Sequence, residues 1–317
     1  MTTTPTVPPV EARTGPDPLD EARGRRRRPV PPGQRASRVA TTLVLVVVAA
    51  SILVPVAWVF LASVKTRSEF YGSPWSWPLG LHLQNFYDAF VTANMGAYFF
   101  NSVVVTALAL VLVLVVAVPA AYVIARYEFP GKSVVEIALL AGLFINVNYI
   151  VVPIFLLLLG WDRALRDLVP GGFFIDSLPS LALVYAATSL PFTIYLLSNW
   201  FKTIPAVYEE AATLDGSSRF RTMVSVMLPM ARPAISTAIL FNFLSYWNDF
   251  IISLTLMPGP QKTLQVGLLD LFQAQRAAAD YGRLYAGMVI VMVPVVIFYL
   301  VIQKRLLQGV GSGGIKE

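Results

Sequence analysis

The sequence predicts an all-α, polytopic membrane protein with six transmembrane helices. Three observations carry that prediction. Six apolar runs are each long enough to cross a hydrocarbon core of about 30 Å. The chain is 56% hydrophobic and only 13% charged, whereas soluble domains are charged at about a quarter of their residues. Polar residues gather between the runs, and the longest polar interval, Lys202 to Pro233, falls between the fourth and fifth.

Residues 1–38 are rich in Pro, Thr, Gly and Arg and nearly devoid of large apolar side chains. Such a stretch cannot bury enough surface to fold, so a disordered basic tail is expected. Eight of the 24 basic residues lie before Val39, including Arg25-Arg26-Arg27-Arg28. That placement accounts for much of the net charge of +6. It reads first as a topology signal holding the amino terminus in the cytoplasm; a nucleic-acid arm and a lipid-binding patch are the other uses of such a run. Val39 to Leu61 is the first span, longer than the apolar core of a cleavable signal peptide.

Ser63 to Ala97 is an aromatic-rich loop containing Pro74-Trp75-Ser76-Trp77-Pro78. Its rings suit the headgroup zone, and contact with an external partner is the sharper alternative. Asn101 to Ile124 is the second span, closed by the turn Arg126 to Lys132. Ser133 to Leu159 is the third, with Glu136 near its start and Asn146 and Asn148 well inside. A loop with the turn signal Pro170-Gly171-Gly172 follows. Leu178 to Trp200 is the fourth span, broken by Pro191 and carrying Tyr185 and Tyr195. Ala234 to Met257 is the fifth, and Leu284 to Ile302 the sixth, after an external loop from Pro258 to Arg283. The six-span domain is thus 39–304, with a short carboxyl-terminal tail, 305–317, in the cytoplasm. With the amino terminus inside, cytoplasmic segments hold 17 Lys and Arg against 7 outside, the excess that membrane insertion favours.

The interval 202–233 predicts a helical hook. Pro205 presets the backbone for a first turn, and Glu209 and Glu210 meet the positive end of the helix dipole. Gly216 supplies a positive φ that ends the helix. Ser217 or Ser218 then caps a second helix, which runs to Leu228 and stops at Pro229.

Polar groups inside spans are costly in hydrocarbon, so they face protein or a water-filled path. Asn242, Tyr246 and Asp249 stand at i, i+4 and i+7, on one helical face, with Asn248 beside them. This stripe either lines a translocation path or joins helices within the bundle. Asn146, Asn148, Tyr185 and Tyr195 are further lining candidates. No catalytic constellation is present. The chain has no cysteine and one histidine, His82, which excludes thiolate metal sites, a histidine metal cluster and a nucleophile–base pair of the usual kinds. It also lacks a phosphate-binding GxxxxGK[ST] loop, so it is not expected to hydrolyse ATP.

Glu210-Ala211-Ala212, three residues, Gly216, nine residues, Val226, one residue, then Leu228-Pro229 resembles the EAA loop of bacterial ABC importer permeases, EAA-x3-G-x9-I-x-LP, with Val in the Ile position. Trp247-Asn248-Asp249-Phe250, Thr263-Leu264-Gln265-Val266-Gly267-Leu268, Ala286-Gly287, Pro294, Gln303-Lys304 and Gly313-Gly314-Ile315-Lys316 resemble, in the same order, the maltose-type (MalG-like) carbohydrate branch. There Asp249 stands for a Glu and Gln265 for a Pro. The resemblance covers about residues 39–317.

It implies the type I, MetI-like permease fold and a subunit forming half of a sugar pathway in the bacterial cytoplasmic membrane. A second homologous permease, two copies of a cytoplasmic ATPase carrying ATP and Mg2+, and an extracytoplasmic solute-binding protein complete the assembly. This chain is expected to bind no cofactor or nucleic acid itself. Glu209, Glu210, Ala211, Ala212, Asp215, Gly216, Leu228 and Pro229 would form the coupling surface for the ATPase. An ion-coupled secondary carrier is the competing transport class. It would use intramembrane acids such as Asp249 or Glu136, but the internal repeat that usually accompanies it is missing.

Overall fold

The computed structural model describes residues 32–165, 167, 172–278 and 280–311. Residues 1–31 of the basic tail, Pro170-Gly171 and the closing Gly313 to Lys316 lie outside the described residues. By its contacts the chain divides into residues 1–56 and residues 57–317. Among the described residues every regular element is helical. In order these are α1 (Pro32–Ser63), α2 (Arg67–Gly72), α3 (Gln84–Tyr87), α4 (Met95–Arg126), α5 (Lys132–Phe144), α6 (Val147–Ala164) and α7 (Leu178–Thr203). They continue as α8 (Val207–Leu214), α9 (Arg219–Thr222), α10 (Leu228–Met230), α11 (Arg232–Trp247), α12 (Ile251–Leu256), α13 (Leu264–Ala278) and α14 (Tyr281–Gly311). Two π-helical turns, Asp88–Thr92 and Met223–Met227, lie between α3 and α4 and between α9 and α10.

Among the described residues five helices are long and apolar enough to cross a membrane, and a sixth crossing is reached if Arg219–Met230 and Arg232–Trp247, bent by 75°, count as one. In the first unit, Val44, Leu45 and Val47 are more than half exposed, as side chains whose solvent is lipid can be. Helix α1 begins at Pro32, so residues 32–38 are helical rather than part of a disordered tail.

The spans depart from the predicted boundaries in informative places. The third is two helices, because the chain leaves the helix at Ile145 and Asn146. The Asn146 side chain accepts the Asn148 N–H at 3.0 Å and starts α6 afresh. A short amide that bonds its own backbone offers the chain an alternative to continuing the helix. The fifth is likewise interrupted, between Trp247 and Ile251. The fourth, by contrast, runs unbroken from Leu178 to Thr203 through Pro191; prolines are tolerated in membrane helices, where neighbouring groups satisfy the freed carbonyl.

The second unit is centred on the seam between α4 and α7. Val105, Ala109, Val113, Ala117 and Ala121 repeat every four residues along α4, and none is more than 1% exposed. Small and β-branched residues at that spacing let two membrane helices approach closely, where dispersion between close-packed atoms replaces the hydrophobic drive that lipid does not supply. Opposite them on α7 stand Leu181, Ala182, Ala186, Leu197 and Phe201, all buried. At the far side α13 and α14 meet at Gly287, where an added Cβ would lie 2.5 Å from Leu271 Cδ2. The Ala286-Gly287 pair is therefore a close-packing device.

Candidate functional site

The two breaks in the spans face one cavity of about 550 Å3. Asn146 and Asn148 from the first break, Asn248 and Asp249 from the second, Tyr185, Thr188 and Ser189 from α7, and Asn242, Ser245 and Tyr246 from α11 line it, with Phe192 and Phe241. Non-helical backbone at membrane depth is stable only where it is covered by protein or lines a wet cavity, and both breaks meet that condition.

Asp249 is the one ionisable carboxylate in this lining, and it is well satisfied. Its Oδ2 accepts the Tyr185 hydroxyl at 2.7 Å and the Ser253 N–H at 2.9 Å, while Oδ1 accepts the Ile252 N–H at 3.4 Å. The carboxylate thus caps α12 and ties it to α7. The rings of Tyr185 and Tyr246 stack with centroids 5.2 Å apart and planes 2° from parallel. The Tyr246 hydroxyl is buried beside Ser189. Asn242 donates to Thr193 Oγ1 at 2.9 Å, both side chains being buried. It joins α11 to α7 and also stands in the lining of the cavity. Asn248 donates to Leu244 O at 2.9 Å and stays exposed.

Of the eight lining candidates, the structure brings seven into this cavity. Tyr195 lies elsewhere, in a smaller cavity of about 150 Å3 with Glu136, Ser198, Asn199 and Lys202. Glu136 is paired there with Lys202 at 3.5 Å. Tyr185, Ser189, Phe192, Tyr195, Asn199 and Lys202 recur every three or four residues on α7, with Thr188 beside Ser189, so one helical face supplies lining to both cavities. Sequence reasoning missed Thr188, Ser189, Asn199 and Ser245. The spacing of polar residues along the fourth span was the signal that would have found the first three.

The hook forms as its residues dictate. Helix α8 places Glu209 and Glu210 in its first turn. Gly216 takes φ +77°, its N–H donates to Thr213 O at 3.0 Å, and the Ser217 N–H donates to Ala212 O at 2.9 Å. These two bonds form a Schellman closure, which needs a left-handed residue at that position. Ser218 caps α9 by accepting the Arg221 N–H. Pro229 does not stop the second helix: the helical path continues through the π turn to Met230 and bends at Ala231.

The coupling candidates divide by exposure. Glu210, Ala211, Asp215 and Gly216 are exposed, together with Val207 (67%) and Leu214 (89%), whereas Ala212 is buried and Leu228 and Pro229 are half-buried. Glu209, expected on the same outward surface, turns inward. Its Oε1 accepts the Tyr122 hydroxyl at 2.6 Å and its Oε2 lies 3.2 Å from Arg126 Nε.

An amide- and hydroxyl-lined cavity at two broken spans, with a polar helical hook between the fourth and fifth, is the anatomy of a membrane permease. The model of the family described as "Binding-protein-dependent transport system inner membrane component" matches residues 89–312. The chain belongs to that family: it is a membrane-spanning ABC importer permease, not an ion-coupled carrier, in a family of transporters rather than enzymes. It is 37% identical over 83% of its length to the diacetylchitobiose uptake system permease protein NgcG of Streptomyces coelicolor, covering 83% of that protein. It is 31% identical over 83% of its length to the trehalose transport system permease protein SugB of Mycobacterium tuberculosis, covering 92%. Among solved structures it matches a bacterial ABC transporter involved in importing the acidic polysaccharide alginate, with a TM-score of 0.70 and 22% identity over 87% of this chain and 98% of that one. That likeness concerns the fold.

Proposed function

We propose that this chain is one of two non-identical permease subunits of an importer for a sugar or oligosaccharide, and that the cavity at the broken spans is its share of the pathway. The observation that carries the reading is the cavity lining: four asparagines, several hydroxyls and a stacked tyrosine pair. Amides and hydroxyls offer donors and acceptors to a polyhydroxylated solute, and flat rings offer it an apolar face. Each such hydrogen bond contributes only about 1 kcal/mol net, so the solute is held weakly enough to leave again. Relatives named for diacetylchitobiose and trehalose uptake support the carbohydrate class.

Both termini are cytoplasmic by the distribution of lysine and arginine, which puts the hook in the cytoplasm as well. There the exposed Glu210, Ala211, Asp215 and Gly216, with Val207 and Leu214, meet one of two ATPase subunits. Leu228 and Pro229 seat the hook against the bundle. The ATPases bind ATP and Mg2+, and this chain holds no cofactor. Closure of the ATPase pair moves the hook as a rigid body, and the spans swing so that the cavity opens alternately to the two sides. A solute-binding protein delivers the sugar from outside.

Purification of the chain in mild detergent from its own membranes, with identification of what accompanies it, tests this reading. A second six-span permease, an ATPase and a solute-binding protein are expected. A chain that purifies alone and transports on an ion gradient would overturn it.

A further inference from the structure

Glu209 is the one acid of the hook that faces inward, and its partners define a joint. Tyr122 and Arg126 stand in the last turns of α4; Tyr122 donates a hydrogen bond to Glu209, and Arg126 forms an ion pair with it. The Arg126 guanidinium also donates to the carbonyl of Ile204, the residue that ends α7. Next to it, the Tyr127 ring lies under the guanidinium of Arg219, 5.1 Å from its centroid, on the second arm of the hook. The end of α4 therefore holds both arms of the hook and the end of α7 at once.

The charges suit their places. Arg126 lies at the carboxyl end of α4 and Glu209 in the first turn of α8, so each complements the dipole of its own helix. Their side chains are 13% and 20% exposed, which limits screening by salt. The Tyr122 ring is buried and packs edge-on against Phe201 of α7 at 5.7 Å.

We propose that Glu209, Tyr122 and Arg126 form a latch through which movement of the hook reaches α4, and that these are positioning residues for coupling. The chain continues covalently from the hook into the fourth and fifth spans. The second span has no such covalent link, and the latch gives the hook a direct hold on it. Because α4 and α7 are sealed along their length by the small-residue seam, a hook clamped to α4 displaces the pair as one body, and with it the Tyr185 wall of the cavity. Released from α4, the hook would follow the ATPase by flexing at its own ends.

The proposal rests on the reading of the hook as the ATPase contact. The test uses the full complex in phosphatidylethanolamine–phosphatidylglycerol vesicles. The chain has no native cysteine, so a single Ser245→Cys substitution places one thiol in the cavity wall. Its labelling rate by a membrane-impermeant maleimide is measured with and without MgATP and vanadate. With the latch intact, nucleotide changes that rate. In Glu209→Gln and in Tyr122→Phe, which removes one hydroxyl, ATP hydrolysis persists and the nucleotide-dependent change shrinks at least about fivefold, the low end of coupling between linked sites. The exchanged pair Glu209→Arg with Arg126→Glu recovers part of it. An undiminished change in both single variants would overturn the latch, as would a fall in the amount of assembled complex with the change per complex intact. If the latch-intact reporter shows no nucleotide response, the reading of the hook itself fails.

Discussion

The hook and the cavity are both polar regions in an apolar chain, yet they are built by opposite means. The hook is made by rules acting over a few residues: acids in a first turn, a glycine at φ +77°, a serine cap. The cavity is made by groups far apart in the chain, with Tyr185 reaching Asp249 and Thr193 reaching Asn242 across helices. A locally determined element can be rigid wherever it sits, which suits a lever. A cavity assembled from two broken spans and one helical face changes shape when those elements move, which suits a path that must open and close. What joins them is the α4–α7 seam and the latch at its end.

Three substitutions sharpen this contrast. The largest effect is expected at the seam, where both regions depend on one surface. Ala117→Leu adds three carbons where exposure is 0%, and overpacking of that kind costs about 1–3 kcal/mol or more. The assembled complex should lose thermal stability in detergent, with hook and cavity functions falling together. An unshifted melting temperature would mean that the seam has room to give.

Gly216→Val should act on the hook alone. No atom stands within 4 Å of the added Cβ, so the cost is the left-handed backbone, about 1–2 kcal/mol for a residue with a side chain. Membrane insertion is expected to be normal and uptake reduced; normal uptake would remove Gly216 from the coupling surface. Asp249→Asn should act on the cavity alone and more gently. The amide keeps one acceptor for the Tyr185 hydroxyl and the Ser253 N–H but loses the charge that strengthens both bonds, an expected loss of about 1 kcal/mol. The half-saturating sugar concentration should rise a few-fold. An unchanged value with a reduced maximal rate would assign Asp249 to movement rather than to the solute.

The same contrast explains how much was legible in the sequence. The apolar spans followed from the length of the apolar runs, and the turn at Gly216 from a residue type that permits positive φ. Their interruptions did not follow. Asn146 and Asp249 sit in runs apolar enough to read as continuous helix, and only their side-chain bonds to nearby N–H groups show where the chain lets go. Pro191 misled in the other direction, since a buried helix continues through it. Stacking of Tyr185 on Tyr246 joins residues 61 positions apart, and one-dimensional spacing carries no trace of it. Glu209 and Glu210 are neighbours with the same charge, and only the fold separates the one that turns inward from the one that turns out.

The most direct test of the central claim, that hook and cavity are separable parts of one machine, is the number of sugar molecules imported per ATP hydrolysed, measured with the half-saturating sugar concentration in the reconstituted complex. Gly216→Val should lower the ratio and leave the half-saturating concentration in place, while Asp249→Asn should move the concentration and leave the ratio. If both substitutions move both quantities together, the two regions are one site and the division drawn between them is wrong.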